Sequence, residues 1–199
     1  MAYFATNLAC DLWFVSWVVA MLWSSRAAKR APAKAENAHW LPTIAGFALL
    51  IVAGNVKSPL DPVVLAIWWL PGLWSPVIAW AMFVVCLTGL FFTWWARIHL
   101  GRLWSASITR KADHRVIDTG PYGIVRHPIY TGLIVAAAAV ACQTGKPLGY
   151  AGVILIILGF TIKARLEERF LKQELGASAY DAYARRVPML VPFWPGRAA

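Results

Sequence analysis

The chain of 199 residues has the length of a single domain, and 60% of its residues are hydrophobic while only 14% are charged. Soluble domains usually contain about 45–50% apolar and about 25% charged residues. This composition excludes a soluble globular enzyme, a disordered tail and a nucleic-acid-binding module. The net charge of +10 comes from clusters of lysine and arginine between long apolar runs, as is typical of membrane proteins. We therefore predict one integral membrane domain, residues 1–199.

Three cysteines, Cys10, Cys86 and Cys142, each lie inside an apolar run and far apart in the sequence. Their spacing fits neither a metal site nor a disulfide framework, so we interpret them as small buried hydrophobic residues. The first ten residues lack a basic start, and the first apolar run is long enough to stay in the membrane. We therefore expect no cleavable signal.

Five apolar runs are candidates for membrane-spanning helices, since a bilayer core about 30 Å thick needs roughly 20 residues at 1.5 Å each. They are residues 3–23, 40–56, 76–96, 128–142 and 148–162. The second, fourth and fifth are short, so they are tilted less, set in a thinned membrane or extended by flanking residues. Residues 60–74 contain three tryptophans and two prolines and suit a segment at the headgroup level. The predicted fold is all-α and polytopic, with about five transmembrane helices.

The basic residues predict the orientation of these spans. Seventeen lysines and arginines follow the first, third and fifth spans, whereas only Lys57 and Lys146 follow the second and fourth. The positive-inside rule then places the amino terminus outside and the carboxyl terminus in the cytoplasm, as in a bacterial inner-membrane protein. Residues 148–175 contain no proline and are followed by Gly176, so the fifth helix should extend beyond the membrane into the cytoplasm.

The most informative stretch of the sequence is 120–132, which precedes the fourth span. Its glycines and prolines impose a tight backbone path. They place Arg126, His127, Tyr122 and Tyr130 at the interface. Taken alone, the same pattern also fits an arginine that reaches the headgroups and tyrosines that belong to an aromatic belt.

Two further polar segments follow. On the extension of the fifth span, Glu167 and Glu168 lie close to the membrane boundary, where unpaired acidic side chains are costly, so they are site candidates. A solvated helix with pairs four residues apart, such as Lys163 with Glu167, is the alternative. Residues 180–193 combine Tyr180 and Tyr183 with an apolar segment broken by prolines, which is expected to form a cap or an anchor at the membrane surface.

Together these elements resemble the isoprenylcysteine carboxyl methyltransferase family of integral membrane enzymes. The resemblance covers residues 101–193, about half of the chain, and implies transmembrane helices in 1–98 and a catalytic core in 99–199. Two departures, a longer spacing from Gly176 to Tyr180 and Leu103 where bacterial relatives often have asparagine, concern the edges of the substrate pocket. The matching residues are 101–105, 120–122, 126–132, Glu167, Glu168, Gly176, Tyr180, Tyr183 and 186–188.

The resemblance implies methyl transfer from S-adenosylmethionine, which enters from the cytoplasm, to a lipophilic acceptor from the bilayer. The cofactor carries a carboxylate, an ammonium, ribose hydroxyls, a sulfonium and an adenine, so its site needs cations, anions and aromatic walls. Arg126 and His127 suit the carboxylate, and Glu167 or Glu168 suits the ammonium or the ribose. The expected cofactor-binding residues are Tyr122, Arg126, His127, Pro128, Tyr130, Glu167, Glu168 and Tyr183. The glycine-rich GxG loop of soluble Rossmann-type methyltransferases does not occur in the chain.

The chemistry of the acceptor decides which residues are catalytic. A carboxylate with a pKa near 4 is already ionised at neutral pH and needs only orientation and exclusion of water. Arg126, Glu167 and Arg97 are then the catalytic candidates, with Arg102 and Arg165 as other cations that could orient the acceptor. The amine of phosphatidylethanolamine or a thiol would need a base, which Glu167, Glu168 or His127 would supply. The sequence leaves these acceptors open.

Two readings from other classes compete with the methyltransferase. Membrane sterol reductases share a similar Arg-His and Tyr-Gly stretch and use a nicotinamide cofactor, but their chains are about twice as long. Pro128 and the Glu167–Glu168 pair fit the methyltransferases better. A non-catalytic membrane scaffold is the other alternative. In every reading we expect membrane lipids as surroundings, and neither a nucleic acid nor a metal as a partner.

Overall fold

The structure, a computed structural model, describes residues 1–22, 29–30, 37–55, 75–105, 109–110, 117–175 and 177–193. Six α-helices make up most of these ranges. They are α1 (Ala2–Met21), α2 (Trp40–Asn55), α3 (Pro76–Leu100), α4 (Pro128–Thr144), α5 (Pro147–Leu175) and α6 (Ala177–Arg186). Short 3₁₀ segments cover Asn37–His39, Gly101–Leu103 and Gly120–Gly123. The two-residue strands β1 (Lys29–Arg30) and β2 (Thr109–Arg110) pair antiparallel. The predicted headgroup segment, 60–74, lies outside the described residues.

The all-helical polytopic fold predicted from the sequence is confirmed. Four helices are long and apolar enough to cross a membrane, at Ala2–Met21, Asn37–Asn55, Pro76–Leu103 and Pro147–Gln173. The fourth predicted span forms α4, an apolar helix of 17 residues. Since 17 residues lie at the lower limit for crossing a bilayer core, its full crossing stays a prediction.

The helix boundaries follow local signals. Ser75 caps α3 by accepting a hydrogen bond from the Ile78 amide, and Pro76 occupies the first helical position. At the other end α3 runs four residues beyond the predicted span, to Leu100, and stops at Gly101, whose φ of 57° favours glycine. Gly145, in the left-handed conformation, ends α4 two residues before Pro147 begins α5.

Successive helices run in alternating directions. Arg97, near the end of α3, donates to the Ala20 carbonyl at the end of α1. Thr43, near the start of α2, lies against Gly159 near the middle of α5, whereas Gly46, further along α2, lies against Gly152, nearer the start of α5. The ends of α1 and α3 and the starts of α2 and α4 therefore meet the polar extension of α5 at one face of the bundle, which we call the polar face.

Two close contacts between glycines hold the helices together. A Cβ built on Gly46 of α2 would lie 2.7 Å from the Gly152 carbonyl oxygen of α5. A Cβ on Gly89 of α3 would lie 2.6 Å from the Gly132 carbonyl oxygen of α4. Only glycine permits such backbone approach, which is how helices commonly pack in membranes. We call these pairs the glycine contacts.

Two buried clusters fill the spaces between the helices. One, between α2, α4 and α5, contains Leu50, Ala137, Ala141, Val153, Ile156 and Phe160. The other contains Cys86, Leu90, Ala136 and Ala139, with α1 packed against it. Cys86 is buried, as expected, and its Sγ lies 3.8 Å from the Sγ of Cys10; both are free thiols. Cys142 is exposed instead, because it faces outward from α4.

Candidate functional site

The backbone before α4 is fixed by glycine and proline. Gly120 has a φ of 58°, and a Cβ there would lie 2.8 Å from the His99 ring, so both conformation and space require glycine. The 3₁₀ turn that follows buries Tyr122, and Val125 is fully buried two residues later. Pro128 occupies the first position of α4. Arg126 and His127 are thereby held directly before the helix, at the polar face.

Arg126 binds two other helices. Its Nε lies 2.7 Å from Oε1 of Glu168, and its Nη2 lies 3.2 Å from Oε2 of the same carboxylate on α5. Its Nη1 donates to the carbonyls of Ala184 and Val187 at the end of α6, at 3.0 and 2.5 Å. A cation at a helix C-terminus is favourable. These bonds use four of the five guanidinium N–H donors, so Arg126 joins α4, α5 and α6.

His127 lies between two carboxylates. Its Nε2 is 3.2 Å from Oε1 of Glu168, and its Nδ1 is 3.5 Å from Oε2 of Glu167. Burial disfavours the charged ring, but the hydrogen bonds to Glu167 and Glu168 outweigh burial and raise the pKa of His127. Both ring nitrogens face carboxylate oxygens, and this arrangement favours the protonated form of the ring.

The two carboxylates are ionised and have different partners. For Glu168, burial raises the pKa, but the hydrogen bonds from His127 and Arg126 outweigh it and hold the pKa at about 2. For Glu167, burial is likewise outweighed, by the hydrogen bond from His127 and the charge of Lys163, so its pKa is lowered. Adjacent residues point about 100° apart on a helix. Glu168 accordingly faces Arg126, whereas Glu167 faces Tyr130, and His127 contacts both.

Tyr130 completes this group. Its hydroxyl donates to Oε1 of Glu167 at 2.7 Å. Its ring stacks on His127 with centroids 5.4 Å apart, and on Phe160 with centroids 4.8 Å apart. The group Arg126, His127, Tyr130, Glu167 and Glu168 is called the polar cluster below. Its charged side chains are paired with one another, which lowers the cost of holding charges away from water.

Residues 177–193 cover the start of α4. Tyr180, Tyr183 and Val187 form a buried cluster. The Tyr183 hydroxyl donates to the Tyr122 carbonyl at 2.7 Å. Backbone carbonyls after α6 accept hydrogen bonds from the amides of Arg126 and His127. The Leu190 carbonyl accepts a hydrogen bond from the Thr131 hydroxyl. These contacts hold residues 180–190 against the start of α4, and their place at the membrane surface stays a prediction.

Arg97 lies apart from the polar cluster. It is fully buried and donates to the carbonyls of Gly101 and Ala20, at 2.6 and 2.7 Å. Its guanidinium lies 4.6 Å from the centre of the Trp104 ring. Burial and the charge of Glu167 raise the pKa of Tyr122, whereas the positive charge of Arg97 opposes this increase. Tyr122 is thus within electrostatic reach of both charged side chains.

The structure brings most of the predicted site residues together, although their roles stay predictions. Arg126, His127, Tyr130, Glu167 and Glu168 form the polar cluster, with Pro128, Tyr122 and Tyr183 beside it; Arg97 joins the ends of α1 and α3. Sequence reasoning missed Phe160, although it lies three residues before Lys163 and seven before Glu167, which places all three on one helix face. It also missed Thr131 and the carbonyls of the cap. Among the described residues, no three histidine, cysteine or acidic side chains are grouped as metal ligands.

Comparison with known proteins identifies related sequences. Residues 80–173 match the model of the isoprenylcysteine carboxyl methyltransferase family. Protein-S-isoprenylcysteine O-methyltransferase B of Arabidopsis thaliana is 33% identical over 87 residues, 43% of this chain and 44% of the relative. A probable protein-S-isoprenylcysteine O-methyltransferase of Oryza sativa subsp. indica is 31% identical over 110 residues, 55% of this chain and 52% of the relative.

A relative with another acceptor also matches. Methanethiol S-methyltransferase 2 of Bradyrhizobium diazoefficiens is 44% identical over 75 residues, which are 36% of this chain and 26% of that protein. The chain spans about half the length of the isoprenylcysteine O-methyltransferases it matches, or less. Residues 80–173 contain most of α3, all of α4 and α5 as far as the polar cluster. The similarity to the isoprenylcysteine carboxyl methyltransferase family lies in this segment.

Proposed function

We propose that this protein transfers a methyl group from S-adenosylmethionine to the carboxylate of a lipophilic acceptor at the polar face. The observation that carries the proposal is the polar cluster itself, in which Arg126 and His127 pair with Glu167 and Glu168, with at most 19% of any of these side chains exposed, at the end of a membrane helix. Ionisable groups in such a position are costly and are usually functional. Methyl transfer is also the activity named for the relatives.

The chemistry of the cluster fits the cofactor. Glu167 receives one bond from Tyr130 and one contact from His127, so its carboxylate keeps lone pairs for an ammonium or for ribose hydroxyls. Arg126 keeps one N–H for a carboxylate. The buried Tyr122 ring supplies an aromatic wall beside these groups. When bound, the cofactor would supply an electrophilic methyl on a sulfonium; the protein would orient it and exclude water.

The state of His127 favours an acceptor that is already ionised. Both of its nitrogens face carboxylates, which favour protons on the ring, so the ring is poorly suited to take a proton from an acceptor. Glu167 and Glu168 are stabilised as anions and are weak bases at neutral pH. A carboxylate needs no deprotonation above its pKa near 4. The polar cluster is therefore better suited to a carboxylate than to an amine or a thiol.

A thiol acceptor is the second candidate. The methanethiol S-methyltransferases are 41–44% identical to this chain, although only over 71–75 residues. A thiol would have to ionise during the reaction, which requires a base. The two candidates thus predict different pH dependence, because only thiol methylation should rise with pH toward the pKa of the thiol near 8.5.

We further propose that the acceptor enters from the bilayer. At the start of α4, Tyr130 already fills the contact with α5 through Phe160 and Glu167. A cavity of about 750 Å³ lies instead between α1 and α3, and it is mostly apolar. An alkyl or prenyl chain gains about 0.8 kcal/mol for each CH₂ that it buries. Residues lining the cavity include Leu12, Trp13, Ser16, Leu87, Phe91 and Trp94.

The proposed orientation places the polar face in the cytoplasm and the amino terminus outside. It is supported by the alternation of the helices, which brings the segments after α1, α3 and α5 to one face. A reporter fused after Ala199 should then be cytoplasmic, and one inserted near Lys57 or Lys146 should be external. Labelling of both chain ends from the same side would contradict five crossings.

The reaction can be tested with labelled S-adenosylmethionine and a panel of acceptors. Prenylated thioether acids and long-chain acids should be methylated, with chain length acting mainly on KM and head-group charge mainly on kcat. Phosphatidylethanolamine and short water-soluble thiols should react poorly. Glu167→Gln should lose activity, and Glu174→Gln, the same change further along α5, serves as its matched control.

Three other outcomes would contradict the acceptor class, the entry route or the reaction itself. Methylation of thiols but not of acids would replace the carboxylate by the second candidate. A preference for water-soluble acceptors, without any gain from an apolar chain, would overturn entry from the bilayer. Transfer to none of these acceptors, together with no binding of S-adenosylhomocysteine, would overturn the proposed reaction.

A further inference from the structure

Three aromatic rings lie parallel to one another from the apolar part of α5 to the polar cluster. The rings of His127 and Tyr130 have centroids 5.4 Å apart and an interplanar angle of 7°. The rings of Tyr130 and Phe160 have centroids 4.8 Å apart and an angle of 8°. Phe160 is buried, with 6% of its surface exposed. An apolar side chain is therefore connected to the His127 ring through a single intervening ring.

One face of α5 holds Tyr130 at three points. Phe160 covers one face of its ring, the Lys163 Nζ lies 5.5 Å from its centre, and Glu167 accepts from its hydroxyl. Positions 160, 163 and 167 follow the three- and four-residue spacing of one helix face. Of these three residues, Phe160 is the apolar one. It can therefore fix the plane of the Tyr130 ring without forming ionic contacts of its own with the polar cluster.

Phe160 is itself held from behind. A Cβ on the preceding Gly159 would lie 2.9 Å from the Thr43 amide nitrogen, so α2 packs directly against this turn of α5. Phe47 of α2 meets the Phe160 ring edge to face, with centroids 6.3 Å apart. Well-packed side chains of this kind have little room to change rotamer. The position of Phe160 is thereby set by the contact between α2 and α5.

We propose that Phe160 is a positioning residue, which acts through the Tyr130 ring to hold the His127 imidazole and the Glu167 carboxylate in register. The charged groups that face His127 are Glu167 and Glu168, the latter shared with Arg126. Without Phe160 the Tyr130 ring can tilt, which weakens both its stacking on His127 and its hydrogen bond to Glu167. The proposal rests on the proposed function only for its cofactor-binding readout.

The test uses the full chain in detergent with Phe160→Leu, and with Phe160→Met as a variant that better preserves side-chain volume. The first readout is the pKa of His127 from NMR of ¹³C-labelled imidazoles, with the signal assigned by His127→Gln. We expect this pKa to fall by about 0.5 to 1 unit, the effect of loosening one aromatic contact. The second readout is the Kd for S-adenosylhomocysteine, which should rise roughly three- to tenfold.

Two controls separate positioning from general packing. Phe160→Tyr keeps the ring and should retain both wild-type values. Phe47→Leu removes a ring that supports Phe160 from behind, but it leaves the stack on His127 in place, so it should shift both values less than Phe160→Leu does.

The proposal would be overturned if both Phe160 variants keep the wild-type pKa of His127, even with weaker cofactor binding or a lower Tm. It would equally be overturned if Phe47→Leu shifts that pKa as much as Phe160→Leu does. If the wild-type protein binds no S-adenosylhomocysteine, the proposed function fails. The pKa comparison still decides the role of Phe160 in that case.

Discussion

The apolar helices and the polar cluster are held together by different kinds of contact. Between the helices, small residues such as Gly46 and Gly152 let backbones touch, and stability there comes from shape. In the polar cluster, ionic contacts join residues about 40 positions apart, as between Arg126 and Glu168. The comparison shows that the cluster depends on the helix packing for its geometry, whereas the packing needs none of the cluster's charges.

The largest effect is expected from breaking an ion pair in the cluster. Glu168→Ala would leave Arg126 and His127 without their shared carboxylate, in a site where the side chains are only 9–13% exposed. Removal of one partner of a buried ion pair usually costs about 3–5 kcal/mol. We expect a loss of this size in the free energy of unfolding, measured by titration with denaturant in detergent.

A double variant serves as the control for this prediction. Arg126→Met combined with Glu168→Leu removes both charges and should recover part of the lost stability, because no charge is then left without its partner. A Glu168→Ala protein as stable as the wild type would show that the ion pair of Arg126 and Glu168 does not stabilise the fold.

The next effect concerns the glycine contacts. Gly152→Val introduces a side chain where a Cβ would lie 2.7 Å from the Gly46 carbonyl oxygen. Overpacking of this kind costs about 1–3 kcal/mol. The folded fraction should nevertheless bind S-adenosylhomocysteine with nearly wild-type Kd, because Gly152 lies about two helical turns from Phe160, through which the contact between α2 and α5 reaches the polar cluster. Loss of binding without loss of stability would contradict the separation of the two regions.

The same contrast explains what the sequence could predict. Hydropathy places four of the five predicted spans within a few residues of the observed helices, and the unbroken helix from 148 to 175 was predicted from its lack of proline. These signals are local in the sequence. The glycine contacts and the stack of Phe160 on Tyr130 depend instead on pairs of helices, and an apolar run does not reveal which run it will pack against.

The candidate site was predictable in part for a similar reason. Charged and aromatic residues near a membrane boundary stand out, so the members of the polar cluster were found. The pairing of these residues was not predicted, because Arg126 was expected to bind a ligand. In the fold, four of its N–H donors bind Glu168, Ala184 and Val187 instead. The capping carbonyls of residues 184–190 are invisible in the sequence, since any residue supplies one.

The stability of the cluster should depend on pH in a defined window. The pKa of His127 is raised above 6.5, so its contribution is complete below pH 6.5 and is lost as the pH rises through the folded-state value. The pKa of Glu168 is lowered from 4.5 to about 2, so its contribution is complete above pH 4.5 and is lost as the pH falls toward 2. We therefore expect the highest Tm between about pH 4.5 and 6.5.

The variant His127→Gln tests the alkaline side of this window. It should remove the decline of Tm above pH 6.5 and leave the acid decline in place. If Tm still declines above pH 6.5 in this variant, another titratable group must cause the decline.

The smallest effect is expected at the rim of the cap. Arg186 pairs with Asp118 at 3.1 Å, but their side chains are 67% and 42% exposed. Exposed pairs contribute about 0–1 kcal/mol and are screened by salt. Arg186→Ala should therefore change the unfolding free energy by less than about 0.5 kcal/mol, and less still at high salt. A loss comparable with that of Glu168→Ala would show that the rim, and not the buried cluster, holds the cap.

The most direct test of the central claim, that the polar cluster binds the methyl donor, is a calorimetric titration of the detergent-purified protein with S-adenosylhomocysteine. We predict micromolar affinity for the wild type and no binding of reduced nicotinamide nucleotides. His127→Ala and Glu168→Ala should each weaken binding more than tenfold, as expected when a buried charge-assisted hydrogen bond is lost. Wild-type affinity in both variants, or binding of the nicotinamide nucleotide alone, would contradict it.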